Sequence, residues 1–481
     1  MKLSRRQILG GLSTAPFIGL ARAQSAPDLR IVSRVLDVKG KAAKVYGIVG
    51  PNGKAGLEMV LGQPFNFNLK NEIDDRTLIH WHGLTPPTAQ DGVPDLSSQL
   101  INIGESRIYD FENTKPGTHW MHSHLGLQEQ RMLAAPLIVH ELKKQLFDEQ
   151  EHIVMLHDFT FRDPQEIMSE LRGGGGEHSK RNMKGMDMKG MDMKGMDMKG
   201  MDHSKMNMQM VNMAADVAYD AMLANDRTLD DPEILRAEKG GHIRLRIINA
   251  AAATNMWIDL GDLTGGLIAV DGNTVFPFNG SRFPLAIAQR ADIRIALPNA
   301  SGAWPILFQS EGTALRSGII IQAGDALIAK VVDHGKAGAA LDFSLEAQLR
   351  SAAQVLKEPV THSEMVMLTG GDEGYNWGFD GKPMMHETLF SVREGERVEV
   401  MLHNMTGMAH PMHLHGHYFK VVGLSGKPID GAVRDTVLVP AGENVTIQFD
   451  ANNPGTWAFH CHHLYHMNSG MMAAVGYTGA A

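Results

Sequence analysis

Four pairs of histidines, each separated by one residue, are the first feature of this sequence that could carry chemistry. They are His80/His82, His122/His124, His413/His415 and His460/His462. Residues i and i+2 of a β-strand face the same side, so each pair would present two imidazoles on one face. If the four pairs meet, they predict a metal-binding cluster of imidazoles. Imidazole binds copper, zinc, iron and nickel, so these ligands alone leave the metal open.

The single cysteine of the chain, Cys461, narrows the choice of metal. It lies between the two histidines of the fourth pair, so in a strand its thiolate faces away from them. On that side it could join His410, His466 and Met471. Two histidines, one cysteine and a weak axial methionine form the ligand set of a blue-copper electron-transfer site. Structural zinc sites, the alternative, usually contain more cysteines.

An internal repeat relates the two ends of the chain. The segment Pro-Gly-Thr-His-Trp-Met-His-Ser-His at residues 116–124 aligns without gaps to Pro-Gly-Thr-Trp-Ala-Phe-His-Cys-His at residues 454–462. A His-x-His-Gly motif precedes each copy, at His80 and at His413. The repeat predicts two related domains at the chain ends, with a third domain between them that lacks these motifs.

These motifs resemble the copper-binding motifs of multicopper oxidases, the three-cupredoxin-domain family of laccases and bacterial cuprous oxidases. The resemblance extends over essentially the whole mature chain and implies four copper ions: one type 1, one type 2 and a binuclear type 3 pair. It assigns the type 1 copper to His410, Cys461, His466 and Met471, where the axial methionine implies a lower reduction potential than leucine or phenylalanine would. It assigns type 2 to His80 and His413. The remaining six histidines of the four pairs are assigned to type 3: His82, His122, His124, His415, His460 and His462.

The same resemblance suggests roles for residues near the motifs. Asp91 matches an acidic residue near the trinuclear cluster, where a carboxylate relays protons during O2 reduction; the alternative is that it caps a turn. Met467 stands where some bacterial relatives have a glutamate that forms a second proton relay. Met408 matches a ligand of substrate copper, but Thr406 replaces the acidic partner expected there. Four further histidines near the motifs are interpreted as structural or supporting residues: His119, His140, His157 and His463.

Short alternating apolar runs indicate a mostly β protein. Period-two alternation predicts strands over Gly241–Asn249, Arg397–Asn404 and Asn444–Asp450, whereas Leu345–Leu356 is the main helical candidate, in a linker. The resemblance implies an all-β fold of three cupredoxin-like, Greek-key β-sandwich domains. Their expected bounds are 27–145, 146–333 and 334–481.

A methionine-rich, low-complexity insert interrupts the second domain at about residues 173–213. The pentad Met-Lys-Gly-Met-Asp recurs there, and twelve of the 31 methionines of the chain lie between residues 183 and 213. Regular glycines and balanced charges predict a disordered loop. Thioethers prefer Cu(I), so the loop could recruit Cu(I), although inert filler is the alternative. The candidate Cu(I) ligands of the repeated part are Met183, Met186, Met188, Met191, Met193, Met196, Met198 and Met201.

The net charge and the N-terminal residues 1–23, which we call the leader, indicate the class of partner and the location of the protein. The chain has 45 basic and 54 acidic residues, a formal net charge of −9, and four of the basic residues lie in the leader. So acidic a mature chain is a poor candidate for nucleic-acid binding. Residues 1–23 contain Arg5-Arg6, a short apolar stretch and Ala21-Arg22-Ala23, which resembles a twin-arginine export signal. We therefore expect export to the periplasm by the twin-arginine machinery and no membrane span after signal removal.

The sequence as a whole predicts a periplasmic copper-detoxifying oxidase. Its partners would be Cu(I) as the electron donor and O2 as the acceptor. One alternative is a laccase-like enzyme with phenolic donors. Another is a copper-sequestering protein whose oxidase activity is incidental.

Overall fold

The computed structural model describes residues 26–113, 115–142, 148–173, 215–353, 359–371 and 374–479. The predicted export signal at 1–23 lies outside the described residues, and so do the candidate Cu(I) ligands between 183 and 201. Among the described residues, no helix combines the length and the apolarity that crossing a bilayer requires.

The first group of strands lies between residues 28 and 140 and forms two sheets, with orders β2-β1-β4-β6 and β3-β8-β7-β5. Its strands are β1 (Asp28–Val38), β2 (Lys41–Val49), β3 (Leu57–Val60), β4 (Phe65–Asn71), β5 (Ile79–His80), β6 (Ser106–Phe111), β7 (Gly117–Ser123) and β8 (Ala134–His140). Short 3-10 helices occupy Thr88–Gln90 and Gln128–Arg131. Apolar residues of both sheets meet in one buried core, as the alternating buried residues of β4 illustrate.

The second group lies between residues 150 and 323, in sheets with orders β10-β9-β12-β17-β14-β15 and β11-β19-β18-β13-β16. Its first elements are β9 (Gln150–Phe159), helix α1 (Pro164–Leu171), β10 (Ala221–Ala224), β11 (Glu233–Ala237), β12 (His242–Asn249) and β13 (Met256–Asp259). The remaining strands are β14 (Gly265–Val270), β15 (Asn273–Gly280), β16 (Arg282–Leu285), β17 (Arg290–Ala296), β18 (Gly302–Ser310) and β19 (Arg316–Ala323). The side chain of Asp163 caps α1 by accepting the backbone N–H of Gln165 at 2.8 Å.

The third group lies between residues 362 and 477. One sheet has the order β21-β20-β23-β29-β25-β26, with β27 on β25, and the other has the order β22-β31-β30-β24-β28. Its first elements are β20 (His362–Gly370), β21 (Trp377–Phe379), β22 (Thr388–Val392), β23 (Arg397–Asn404), β24 (His410–Leu414) and β25 (Phe419–Leu424). The rest are β26 (Lys427–Pro428), β27 (Val433–Arg434), β28 (Thr436–Val439), β29 (Asn444–Asp450), β30 (Thr456–Cys461), helix α2 (Leu464–Asn468) and β31 (Met472–Tyr477).

The all-β prediction is confirmed, and the three strands predicted from alternation form as β12, β23 and β29. The predicted domain boundaries stay predictions. The helical candidate Leu345–Leu356 is wrong: its described part contains turns, and Ser351 bridges to Val275. Tertiary packing overrides the local preference there, because Leu345 and Leu349 are buried in the core of the second group.

Candidate metal centres

The four histidine pairs lie at the ends of paired strands. His80 of β5 is the register partner of His122 of β7, and His413 of β24 is the register partner of His460 of β30. The first histidine of each pair ends or nearly ends its strand, and the second lies at or just beyond the strand end. The four pairs therefore meet where their strands end. They do not line one face of continuous strands.

The glycine of each His-x-His-Gly motif makes this turn possible. Gly83 has φ +89°, and a Cβ there would come within 2.5 Å of Nδ1 of His119. Gly416 has φ +67°, and a Cβ there would come within 2.4 Å of the ring of Trp457. At both positions the backbone adopts the left-handed conformation and there is no room for a Cβ atom. Each of these two reasons requires glycine.

The eight imidazoles include at least three sets of three in which the donor atoms lie within 4.8 Å of one another, and His82 belongs to two of these sets. The three sets are His82–His122–His462, His124–His415–His460 and His80–His82–His413. Each set combines histidines from the first and third groups of strands. Every ring of the eight is buried.

The inner nitrogens of these rings have the chemistry of metal ligands. Nε2 of His80, His122, His413 and His462 and Nδ1 of His82 are buried without a hydrogen-bond partner among the described residues. Burial lowers the pKa of His460 to about 3 and lowers the pKa of the other type 3 candidates and of His413 well below the usual value. Neutral rings keep a lone pair for a metal, so the donor set fits copper.

Three buried carboxylates hold the outer sides of these rings. Asp91 places Oδ2 2.8 Å from Nδ1 of His415 and Oδ1 3.2 Å from Nδ1 of His80. Its main-chain oxygen accepts from the same His80 nitrogen at 2.9 Å. One residue thus orients a type 2 candidate and a type 3 candidate, which is the usual arrangement behind ligating histidines.

Glu129 and Asp435 do the same for other rings. Oε2 of Glu129 lies 3.1 Å from Nδ1 of His122, and Oε1 lies 3.8 Å from Nδ1 of His462. Oδ1 of Asp435 accepts from Nε2 of His82 at 3.0 Å, and its main-chain oxygen accepts from Nδ1 of His413 at 2.8 Å. Burial raises the pKa of Glu129 well above its usual range.

Asp435 also connects the cluster to the middle of the chain. Nη1 of Arg290, on β17, donates to Oδ1 of Asp435 at 2.7 Å, and Nη2 also contacts this carboxylate. The Arg290 side chain is fully buried, and its Nε donates to the main-chain oxygen of Thr118 at 3.1 Å. All three groups of strands therefore meet behind the histidine cluster.

The second centre lies on the other side of β30. Sγ of Cys461 is 3.6 Å from Nδ1 of His410 and 3.8 Å from Nδ1 of His466, and the two nitrogens are 3.2 Å apart. Met471 is buried, and its main-chain oxygen accepts the N–H of Cys461 at 3.0 Å. The four residues that the sequence singled out for type 1 copper are thus brought to one buried place.

Protonation differs between the members of this second centre. Burial lowers the pKa of His466 to about 3, so its ring is neutral and able to bind metal. Burial raises the pKa of the Cys461 thiol well above its usual value. Metals bind the thiolate, so loading this centre releases a proton from the cysteine.

The outer nitrogens of His410 and His466 have their own partners. Oγ1 of Thr406 lies 2.7 Å from Nε2 of His410, so the residue that replaces the expected acid orients this ring. Oδ2 of Asp216 lies 3.5 Å from Nε2 of His466, and Oδ1 lies 3.2 Å from Nε2 of His463. Burial raises the pKa of Asp216, but the two histidines outweigh it and hold the pKa well below its usual range.

The other predicted site residues have varied positions. Met408 is partly buried against the core of the third group, and its main-chain oxygen accepts from Nδ2 of Asn404 at 2.7 Å. The rings of His119 and His157 are buried without a hydrogen-bond partner among the described residues. His140 pairs with Glu58 at 3.0 Å.

Sequence reasoning missed Glu129, Asp216 and Asp435. Glu129 lies five residues after His124, in Gln128-Glu129-Gln130, and an acid flanked by two glutamines beside a ligand motif is a signal that could have found it. Asp216 follows the methionine-rich insert, and no local pattern distinguishes it. Asp435 lies 353 residues from His82, so only the packing of the chain reveals their contact.

Comparison with known proteins agrees with this geometry. Three sequence models described as multicopper oxidase match residues 33–144, 151–324 and 357–478. A multicopper oxidase of Mycobacterium tuberculosis is 29% identical over 88% of this chain and 81% of its own. Copper resistance protein A of Escherichia coli is 25% identical over 99% of both chains. The solved structure of Fet3p, a multicopper oxidase that functions in iron import, superimposes with a TM-score of 0.74 at 18% identity, over 94% of this chain and 90% of that one. The similarity of fold confirms the predicted cupredoxin-like architecture.

Proposed function

Because the chain belongs to the multicopper oxidase family, and is therefore a copper-dependent oxidoreductase, we propose that it oxidises Cu(I) and passes the electrons to O2, which is reduced to water. The observation that carries this proposal is the position of Cys461. It belongs to the soft two-histidine set with His410 and His466, and its neighbours in the chain are His460 and His462 of the imidazole cluster.

Copper, when bound, would supply one-electron transfer at a type 1 centre and four-electron reduction of O2 at a trinuclear cluster. The type 1 centre would use His410, Cys461, His466 and Met471. The cluster would use His80 and His413 for type 2. The six type 3 ligands would be His82, His122, His124, His415, His460 and His462. The backbone of residues 460–462 provides the short covalent path between the two centres.

Asp91 is the residue best placed to handle protons. Its carboxylate contacts Nδ1 of His80 and of His415, one ring from each side of the cluster. We assign it two tasks: it holds both rings so that their Nε2 atoms face inward, and its carboxylate would relay protons for the reduction of O2. Glu129 has the corresponding position at His122 and His462.

The choice of Cu(I) as donor rests on soft-ligand chemistry and on the relatives. The methionine-rich insert offers thioethers, which prefer Cu(I) to hard cations. One relative, whose alignment covers 99% of this chain, is named copper resistance protein A. We therefore assign the enzyme to copper tolerance, and with the twin-arginine-like leader we assign it to the periplasm.

Oxygen uptake by the fully copper-loaded protein tests this proposal. Buffered Cu(I) as the only donor should give a kcat/KM at least about tenfold above that of a phenol without added copper, the ratio for about 1.4 kcal/mol of transition-state preference. Fast phenol turnover with a weak Cu(I) response would instead establish a laccase-like enzyme.

Two further experiments separate the remaining alternatives. Cys461→Ser removes the type 1 centre, so the host should lose copper tolerance; unchanged tolerance would mean that the protein protects by sequestration. Deletion of residues 183–213 should weaken Cu(I) oxidation at low copper concentration. Unchanged Cu(I) oxidation in that variant would contradict recruitment by the insert.

A further inference from the structure

The outer face of two neighbouring strands carries exposed methionines. Strands β20 and β23 pair in parallel, with Met365 opposite Met401 and Met367 opposite His403. Met365 is 65% exposed and Met401 is 37% exposed. Met405 follows the end of β23 and is also exposed. Four thioethers and one imidazole therefore lie along one solvent-facing stretch of the third group.

Packing does not explain these methionines. The opposite face of the same strands supplies the core through Val366, Leu368, Val400 and Leu402, all of which are buried. The alternation of the two strands is regular, so the outward positions need no apolar residue. His403 makes no hydrogen bond or ion pair with the part of the chain that the structure describes. Its imidazole is therefore available to an external ligand.

The spacing between Met365 and Met401, and between Met367 and His403, suits a small soft cation. Neighbouring strands lie about 4.8 Å apart, so paired side chains on one face start within reach of a common ion. The methionine side chain is flexible and its thioether is polarisable, so two sulfur atoms can close on one ion without moving the backbone. Thioethers select Cu(I), and an imidazole is a compatible further ligand.

The stretch ends beside the type 1 centre. The N–H of Met405 donates to the main-chain oxygen of Leu368 at 3.0 Å, which fixes the turn after β23 against β20. The next residue, Thr406, contacts Nε2 of His410 at 2.7 Å. An ion on these methionines would be one short turn from a residue that touches a candidate type 1 ligand.

We propose that Met365, Met367, Met401, His403 and Met405 form a Cu(I)-binding surface that supplies the type 1 centre. None of these residues belongs to the methionine-rich insert in the sequence. The binding part of the proposal stands on the arrangement of these side chains. The supply part rests on the proposed function, because it assumes that Cu(I) is the donor.

The binding part is tested with Ag(I), a soft cation of the same charge that the enzyme cannot oxidise in place of Cu(I). The copper-loaded full-length protein is exposed to peroxide with and without Ag(I), and sulfoxide formation is measured at each methionine by mass spectrometry. Ag(I) should slow oxidation of Met365 and Met401 by about tenfold, which corresponds to about 90% occupancy of the site.

The decisive observation is whether the protection of Met401 on β23 by Ag(I) depends on Met365 on β20. In Met365→Leu the thioether of Met401 is unchanged, but it loses its partner, so its protection by Ag(I) should fall by at least about fivefold. Met385 is 42% exposed and lies in a loop, so its behaviour should be the same in the variant and in the parent. Equal protection of Met401 with and without Met365 would overturn the proposal, because the methionines would then bind independently.

The supply part has its own readout. In Met365→Leu/Met401→Leu, kcat/KM for Cu(I) should fall about fivefold relative to kcat/KM for a phenol, with most of the change in KM. Ag(I) protection without any change in this ratio would retain the binding surface and overturn its role in supply. If the parent enzyme does not oxidise Cu(I) at all, the proposed function fails, while the Ag(I) result still decides the binding surface.

Discussion

The ring of His463 is stacked on the ring of His466, with centroids 3.7 Å apart and an angle of 12° between the planes. Trp377 covers the other face of His466, with centroids 4.0 Å apart. Nδ1 of His463 accepts the backbone N–H of His466 at 3.4 Å, so its Nε2 carries the hydrogen that Asp216 accepts. His466 is thus held between two rings, with one carboxylate at its outer edge.

Asp216 should favour positively charged donors. Its carboxylate lies at the outer nitrogen of His466, so Asp216→Asn removes a negative charge from the edge of the candidate type 1 centre. We expect kcat/KM for Cu(I) to fall about tenfold, as for loss of one unit charge at a partly buried site, and kcat/KM for a neutral phenol to change less than about twofold. Steady-state oxygen uptake with both donors measures this.

The control is Asp262→Asn, which removes the same charge from an exposed turn. Both variants should keep the blue colour of the parent. An equal loss with both donors in Asp216→Asn would mean that the carboxylate supports the ring and does not select donors by charge.

Asp91→Asn should separate O2 reduction from donor oxidation. Asparagine keeps the main-chain oxygen that accepts from His80, but it loses the negative charge beside His80 and His415, and its amide can place a donor instead of an acceptor at Nδ1 of His415. We expect oxygen uptake to fall by about 10- to 100-fold, the usual cost of losing such a contact. Reduction of the type 1 centre by donor under nitrogen should keep the rate of the parent. Oxygen uptake at the parental rate would show that Asp91 only supports the local turn.

Glu129→Gln should weaken copper retention by the cluster. The glutamate contacts the outer nitrogens of His122 and His462, and glutamine removes its ability to become negative when cations bind nearby. We expect copper affinity to fall by about 10- to 100-fold, measured as copper content after dialysis against graded chelator. The control is Glu311→Gln, at another buried glutamate that does not contact these histidines, and it should retain the copper content of the parent. Full retention in Glu129→Gln would contradict the assignment.

Glu311 should make stability depend on pH. Burial raises the pKa of Glu311 from its usual value of 4.5 to about 7. The unfolded chain therefore binds fewer protons at this residue than the folded chain between these values, so stability falls as pH rises from about 4.5 to about 7. The resulting loss in the free energy of unfolding is on the order of 3 kcal/mol.

Thermal unfolding of Glu311→Gln and of the parent between pH 5 and pH 8 measures this effect. The variant cannot ionise, so its Tm should decline less than that of the parent over this range. Glutamine also loses one acceptor for the bonds from Asn255 and Leu341, so its Tm should be lower at pH 5. Parallel pH profiles would contradict the raised pKa.

Much of the fold can be predicted from the sequence, because the local hydrophobic pattern and the tertiary environment agree. Arg397–Asn404 alternates between buried and more exposed residues and forms β23 with the predicted bounds. Leu345–Leu356 shows the opposite case. Its apolar spacing fits a helix, but Leu345 and Leu349 are used to contact the second group of strands, which local spacing cannot reveal.

The sequence predicts the candidate site only in part. The histidines and Cys461 could be grouped because short motifs place them next to one another in the chain. Strand faces alone do not bring the histidines together, because Gly83 and Gly416 turn the chain just past two of the pairs. The contacts of Asp216 and Asp435 could not be predicted, because they join residues 247 and 353 positions apart in the chain and depend on how the groups of strands pack.

The cluster combines His80 and His122, from the first group of strands, with His413 and His460, from the third group, and this has a consequence for biosynthesis. One half of the cluster is translated near the beginning of the chain and the other half within its final strands, so no partial chain on the ribosome can offer the complete donor set. Assembly of the complete cluster must therefore follow synthesis of β30 and His462, and a chain that stops before β30 would leave the early histidines without their partners. Once inserted, the metal would link the first and last parts of the molecule and slow their separation.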